Sequence, residues 1–304
     1  MANSSSTDTS HKRSLLIYHL FALFTVIVWG ASFVATKVLL EAGLSTVEIY
    51  IYRFVVAYMI ILIFSHRQLF AHNLRDEILL ALCGITSGSI YFMAENTALL
   101  YTSTTNVGLL TCISPLMTTL LIGAFYRNER PTRAVYLGSL IALAGAGCVI
   151  FNGGFNLNIA PLGDLLALSA ALSFAFYSII LRKVNVTYDA LFITRKTFFY
   201  GIITALPFVF MEPEVSPVSI LFRPTVLANL LFLGAFCSML GFFLWAKVND
   251  GLGAIKANNY LYLQPVVTLS LSFAILGERI SWIGYMGCVF ILLGLYISDR
   301  FARK

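Results

Sequence analysis

Two residues of opposite charge lie inside long apolar stretches of the chain, where an ionisable side chain needs a partner or a water-filled cavity. Arg53 and Glu95 are about seven and five residues from the outer ends of their stretches, or roughly 10 Å and 8 Å deep at 1.5 Å per residue. Their side chains could therefore meet. The pair would be either a structural clasp or an outer gate, released when a substrate carboxylate or a proton competes for one partner. Protonation of Glu95 would be the simplest coupling to a proton gradient.

Other cations lie near the ends of apolar stretches. Lys256 opens one of them, and it is either an anchor that fixes topology or, where that end faces a cavity, a group that attracts anions. Arg195 and Lys196 lie one to two turns inside another, where snorkelling to lipid phosphate explains them as well as a binding site does. The candidates for a gate or for ion coupling are therefore Arg53, Glu95 and Lys256.

Uncharged polar and aromatic residues also recur inside the apolar stretches, where lipid would reject groups that form hydrogen bonds. Interhelical hydrogen bonds would explain any single one of them. Their clustering favours the alternative, the lining of a binding cavity with aromatic walls. The predicted substrate-binding residues are Trp29, Ser32, Asn96, Asn106, Thr111, Tyr177, Asn258, Asn259, Tyr262 and Gln264. Pro115 and Pro265 would bend the helices around this cavity and could serve as hinges.

The elements that position these residues follow from composition. Of 304 residues, 59% are hydrophobic and only 11% are charged, and the mean hydropathy is +0.86, which excludes an ordinary soluble domain. Continuous apolar runs predict an all-α membrane protein, because alternating runs would be needed for a barrel. We predict transmembrane helices over about 15–37, 46–65, 78–100, 103–126, 133–152, 162–182, 190–210, 225–247, 255–276 and 281–299.

Charge distribution predicts the orientation of these ten helices. Most of the 20 lysines and arginines fall on one side if both termini are cytoplasmic, as the positive-inside rule requires. We therefore expect cytoplasmic tails at 1–14 and 300–304, in a protein of the bacterial inner membrane. These basic residues are spread over short loops and tails instead of forming one patch, so their spacing carries topology and nucleic acid is not an expected partner.

The two halves of the chain resemble each other. Pro115 pairs with Pro265, Gly138 with Gly287, and the Glu129–Arg130 pair with Glu278–Arg279. This predicts two repeats, 15–152 and 162–299, each of five helices. An odd number of helices inverts the second repeat, an arrangement typical of secondary transporters with a cavity at the membrane midplane. Duplication for stability alone is the alternative.

Several short motifs occur in a characteristic order, partly in two copies. They are Trp29-Gly30-Ala31-Ser32-Phe33-Val34, Arg53-Phe54, Ala98-Leu99-Leu100-Tyr101-Thr102, Ser114-Pro115-Leu116 with Asn128-Glu129-Arg130, and Gln264-Pro265 with Gly277-Glu278-Arg279. In these motifs the chain resembles the EamA family of the drug/metabolite transporter superfamily. The resemblance implies a ten-helix carrier of small metabolites whose central cavity is lined mainly by helices 1, 3, 4, 6, 8 and 9.

The sequence lacks the residue patterns that membrane enzymes usually carry. All four histidines fall within the first 72 positions, the aspartates form no DxxD pair, and no P-loop occurs. We expect that the protein is not an enzyme and that it binds no metal or cofactor. We expect a gradient-driven or facilitative carrier that exports small metabolites, amino acids or related amphipathic compounds, by alternating access. The alternatives are a lipid-handling flippase or scaffold and an integral membrane enzyme. The expected partners are a small-molecule substrate and the lipid bilayer, with a homodimer as an open option.

Overall fold

A computed structural model describes residues 3–101, 104–126, 128, 130–151, 160–211, 216–276 and 281–301. Side chains are described in these ranges except at 3–14, 33, 37, 96, 99, 100, 104–106, 268, 269, 272, 273, 275 and 276. The described residues form helices and turns and no strands. Because apolar segments in a bilayer must pair their backbone groups internally, helices are the expected result of this composition.

The helices follow one another with short connections. They are α1 (Asn3–Glu41), α2 (Thr46–Phe64), α3 (Leu74–Gly84), α4 (Ile90–Tyr101), α5 (Thr104–Thr111), α6 (Ser114–Phe125), α7 (Arg133–Phe151), α8 (Pro161–Val184), α9 (Ala190–Met211), α10 (Pro224–Leu231), α11 (Gly241–Leu252), α12 (Ala254–Asn259), α13 (Gln264–Leu276) and α14 (Trp282–Arg300). A short 3₁₀ helix, Val218–Phe222, precedes α10.

Eight helical stretches among the described residues are long and apolar enough to cross a membrane. They include Leu15–Glu41 within α1, Leu74–Glu95 across α3 and α4, and Pro224–Leu252 across α10 and α11. The predicted all-helical membrane protein is thus confirmed. Two of the ten predicted crossings, 190–210 and 255–276, are not among these eight stretches. They correspond to α9 and to the α12–α13 pair.

Two of the long helices contain a π-helical segment. Ile85–Ser89 joins α3 to α4, and Phe232–Leu240 joins α10 to α11. In a π-helical segment each backbone N–H bonds to the carbonyl five residues earlier instead of four, which widens the helix and rotates its side chains. Such segments are frequent at functional sites. The second segment carries Ser238, whose contact is described below.

Each of the predicted hinge prolines follows a helix interruption. Pro115 lies in the first turn of α6, after α5 has ended at Thr111. Pro265 lies in the first turn of α13, after a 3₁₀ turn at Tyr260–Leu263. Proline has no N–H to donate and its ring clashes with the preceding turn, so it fits best at a helix start. Movement at these interruptions remains a prediction.

Helices α7 and α14 cross at four glycines. A Cβ atom on Gly145 would lie 2.6 Å from the backbone N of Ile291, and one on Gly138 would lie 2.6 Å from the O of Gly294. Only glycine lets the two backbones approach this closely, as in other membrane helix pairs. The glycines that pair in the two halves of the sequence therefore lie at one close crossing of α7 and α14.

Candidate functional site

Arg53 forms the centre of a polar cluster inside the helix bundle. It lies on α2 with 6% of its surface exposed, and its Nε donates a hydrogen bond to Ser238 Oγ at 2.9 Å. Its guanidinium carbon lies 5.3 Å from the centre of the Phe92 ring, within the range of a cation–π contact. Burial of a permanent positive charge is costly, and these contacts repay only part of that cost.

Glu95 lies beside this arginine without touching it. Its Oε1 accepts a hydrogen bond from the hydroxyl of Tyr91 at 2.9 Å, one turn earlier in α4, and the side chain is half-buried. Glu95 and Arg53 attract each other electrostatically, but these two described side chains form no direct ion pair. We call Arg53, Tyr91, Phe92, Glu95 and Ser238 the Arg53 cluster.

A set of aromatic rings adjoins the Arg53 cluster through Tyr91, whose ring centre is 5.6 Å from that of Phe174. Phe174 in turn contacts Trp29 at 6.3 Å and Tyr177 at 5.3 Å. Trp29 is held in place because its Nε1 donates to the backbone O of Cys237 at 2.8 Å. We call this set the aromatic wall. Its members are Trp29, Phe174, Tyr177, Phe242 and Trp245.

Three of the other predicted lining residues are half-buried. The hydroxyl of Ser32 donates to the O of Trp29 at 2.7 Å, and that of Thr111 to the O of Val107 at 2.9 Å, both within their own helices. Gln264 begins α13. Internal bonds of this kind satisfy a hydroxyl in an apolar environment and leave its oxygen able to accept another bond.

Asn258 is fully buried, at a contact between three helices. Its Oδ1 accepts hydrogen bonds from Ser178 at 3.1 Å and Thr118 at 3.4 Å, and its Nδ2 donates to the O of Ala254 at 2.8 Å. Its Oδ1 therefore joins α12 to α6 and α8, whereas its Nδ2 bonds within α12.

The remaining predicted residues of this region face α14 and α7. Asn259 Nδ2 donates to Ser298 at 2.7 Å, and Lys256 pairs with Asp299 in a largely exposed salt bridge. Tyr262 is buried in a separate apolar cluster that includes Ala142 and Ile291. The structure thus brings Trp29 and Tyr177 together near Arg53 and Glu95, and it separates Asn259, Tyr262 and Lys256 from them. The side chains of Asn96 and Asn106 lie outside the described residues.

Comparison with known proteins identifies the family. The model of the EamA-like transporter family matches residues 16–151 and, a second time, residues 161–298. The chain belongs to the EamA-like transporter family. The predicted family resemblance is confirmed, and the family model matches the chain in two copies.

Relatives of this EamA-like transporter carry names of the same kind. An uncharacterized transporter of Archaeoglobus fulgidus is 25% identical over 92% of this chain and 96% of its own length. A probable terminal-alkyne amino-acid exporter of Streptantibioticus cattleyicolor is 26% identical over 91% and 92%. One solved crystal structure shares the fold with a TM-score of 0.75 over 93% of this chain and 98% of that one, at 19% identity. These relatives support small-molecule transport across a membrane and are consistent with a protein that is not an enzyme.

The structure of this EamA-like transporter also places two cations differently from the snorkelling interpretation. Arg195 and Lys196 are almost completely buried and bind carbonyl groups of the loop between α2 and α3. Arg195 donates to the O atoms of Ser65, Gln68 and Leu69, and Lys196 pairs with Glu77, which also accepts from Tyr200. We call this arrangement the α9 clasp.

Sequence reasoning missed several residues of the Arg53 cluster in this transporter. Tyr91 could have been found, because it lies one helical turn before Glu95 and so shares its face. Ser238 could not, because 185 residues separate it from Arg53 and a serine in an apolar helix has no distinctive pattern. Among the described residues, no group of three or more His, Cys, Asp or Glu could hold a metal ion.

Proposed function

We propose that this protein is a secondary carrier that exports amino acids or related small amphipathic compounds by alternating access. The family and its named relatives support transport of small molecules in general. The name of the Streptantibioticus relative supports an amino-acid substrate. The same name also supports export as the direction of transport.

The observation that carries the proposal is the position of the Arg53 cluster between the two family copies. Arg53 and Glu95 belong to the first copy, and Ser238 belongs to the second. The aromatic wall is also shared, because Trp29 of the first copy contacts Phe242 of the second at 5.6 Å. A polar and aromatic site at a repeat interface is the arrangement expected for a carrier that exposes one site alternately.

The proposed architecture is ten transmembrane helices in two inverted repeats, with both termini in the cytoplasm of a bacterium and the protein in its inner membrane. Support comes from the equivalent positions of paired features. A Cβ on Gly84 would lie 2.6 Å from the O of Thr197, and one on Gly234 would lie 3.2 Å from the O of Arg53, so α3 packs on α9 as the π-helical segment Phe232–Leu240 packs on α2. Reporter fusions that are active only in the periplasm, placed at either terminus, test the orientation and should remain inactive.

Within this proposal, the half-buried residues Ser32, Thr111 and Gln264 line the pathway together with Trp29 and Tyr177. Asn258, whose hydrogen bonds join three helices, would contact substrate only after α12 has moved. Pro115 and Pro265 are the proposed hinges for that movement. Lys256 would act at the end of the pathway through its salt bridge with Asp299.

Counterflow in proteoliposomes tests the function. Vesicles loaded with an unlabelled mixture of neutral amino acids should accumulate a labelled neutral amino acid, and protein-free vesicles should not. A pH gradient applied in the same assay tests proton coupling, and Glu95→Gln should abolish any stimulation that the gradient causes. Translocation of a fluorescent phospholipid without any counterflow would overturn the proposal in favour of a lipid-handling protein.

A further inference from the structure

Within the Arg53 cluster, the guanidinium has more donors than the protein uses. An arginine side chain has five N–H donors, and Nε–H is occupied by Ser238. Among the residues that the structure describes, the bond from Nε to Ser238 is the hydrogen bond of the Arg53 side chain, and its terminal nitrogens donate to none of them. Arg53 is at the same time more than nine-tenths buried. The edge that binds carboxylates in a bidentate manner is therefore available.

Glu95 offers the complementary group. Tyr91 occupies Oε1, and the described residues supply no hydrogen-bond donor to Oε2. The side chain is half-buried. Glu95 and Arg53 attract each other across a gap that neither closes. If the two were in direct bidentate contact, each would saturate the other and no ligand could enter between them.

We infer that Arg53 and Glu95 are the two poles of a zwitterion subsite, in which Arg53 binds the α-carboxylate and Glu95 binds the α-ammonium group of a neutral amino acid. This inference rests on the proposed function and names its substrate class. A zwitterion supplies both the buried Arg53 and the half-buried Glu95 with a counter-charge, whereas a ligand with one charged end leaves the other protein charge unpaired at a cost. The ligand therefore needs both its carboxylate and its ammonium group.

The surroundings restrict the substrate side chain. Tyr91 separates Glu95 from Phe174, and Phe174 leads to Trp29. A side chain attached between the two poles would face these rings, where apolar groups are stabilised and a further charge would be desolvated without a partner. The subsite therefore favours neutral amino acids with apolar side chains over lysine or aspartate.

Ligand binding to the full chain in lipid nanodiscs tests the inference, with tryptophan fluorescence as the signal. Trp29 and Trp245 belong to the aromatic wall, and Trp282→Phe removes the remaining, exposed tryptophan. The probes are L-leucine, leucinamide, which lacks the carboxylate, and 4-methylpentanoate, which lacks the ammonium group. L-leucine should bind at least about tenfold more tightly than either analogue, because a site built for a polar group discriminates against its absence.

Variants assign the two poles separately. Arg53→Gln should make leucine and leucinamide bind equally, and Glu95→Gln should make leucine and 4-methylpentanoate bind equally. Arg223→Gln and Glu41→Gln, which remove exposed charges of the same types, should keep the wild-type preferences. If Arg53→Gln does not fold, Ser238→Ala replaces it, and it should weaken leucine binding more than leucinamide binding.

Equal affinity of the three probes for the wild-type protein, or unchanged preferences in both pole variants, would overturn the subsite. Counterflow distinguishes this from failure of the carrier itself. If the protein transports another solute but does not bind leucine, the proposal of a carrier stands and the zwitterion subsite is overturned. Binding with the expected preferences but no counterflow of any solute leaves the subsite and overturns the carrier.

Discussion

Arg53 of α2 donates a hydrogen bond at 2.9 Å to Ser238 in the π-helical segment between α10 and α11. One residue comes from each family copy, so the bond crosses the interface between the copies. A π-helical segment turns its side chains relative to a regular α-helix, and here it presents a serine to a buried charge. The orientation of the guanidinium consequently depends on the relative position of the two halves.

Replacement of Ser238 by alanine should weaken both the fold and substrate binding. Loss of a hydrogen bond to a charged group costs about 1.5–3 kcal/mol of unfolding free energy. The KM of counterflow should rise about tenfold if about 1.4 kcal/mol of that loss applies to substrate binding. Ser270→Ala is the control, because Ser270 is exposed and donates only to Val266 of its own helix. Equal KM values for the two variants would show that Ser238 does not orient Arg53.

Removal of the cation from the α9 clasp should release the loop between α2 and α3. Lys196→Met leaves the Glu77 carboxylate without its ion pair, which should cost about 2 kcal/mol or more of unfolding free energy, since the pair is largely buried. Amide hydrogen exchange across residues 65–71 should become faster. Lys183→Met removes an exposed lysine and should change neither quantity. The double variant Lys196→Met, Glu77→Gln should be more stable than the single one, and a lower stability would argue against the clasp.

Alanine at Gly145 should destabilise the crossing of α7 and α14. The new Cβ would lie 2.6 Å from the backbone N of Ile291 and 2.7 Å from the O of Gly287, so the helices must separate. We expect a loss of about 1–3 kcal/mol, measured by thermal or SDS-induced unfolding in detergent. Gly147 lies on the same helix, and a Cβ there meets only the tip of Leu109 at 3.4 Å. Gly147→Ala should therefore be neutral, and comparable losses for both variants would contradict the proposed close approach.

Lys256→Gln separates a role in transport from a role in stability. The Lys256–Asp299 pair is largely exposed, so its loss should change the unfolding free energy by less than about 1 kcal/mol. If Lys256 acts at the end of the pathway, the counterflow rate should fall while the protein stays folded. Asp299→Asn tests whether the pair or the lysine alone matters. An unchanged counterflow rate in Lys256→Gln would show that Lys256 does not act in transport and would favour its interpretation as a topology anchor.

The sequence by itself determined that this is an all-helical membrane protein of the EamA family with two copies of one unit. Hydropathy is a local property that adds along the chain, so apolar runs such as Leu15–Glu41 could be read directly. It also singled out Arg53 and Glu95, because a charge inside an apolar run is costly wherever the helix packs.

Only the tertiary structure decided what these residues contact. Depth in the membrane follows from position along a helix, and it placed Arg53 and Glu95 at similar depths, but the two described side chains form no direct ion pair. The rotation of each helix and the choice of its neighbours depend on packing between residues far apart in sequence. That packing directs Arg53 to Ser238 and Glu95 to Tyr91, engages Asn258 between three helices, and buries Arg195 against a loop. These contacts join distant segments, and the spacing of residues along one helix does not encode them.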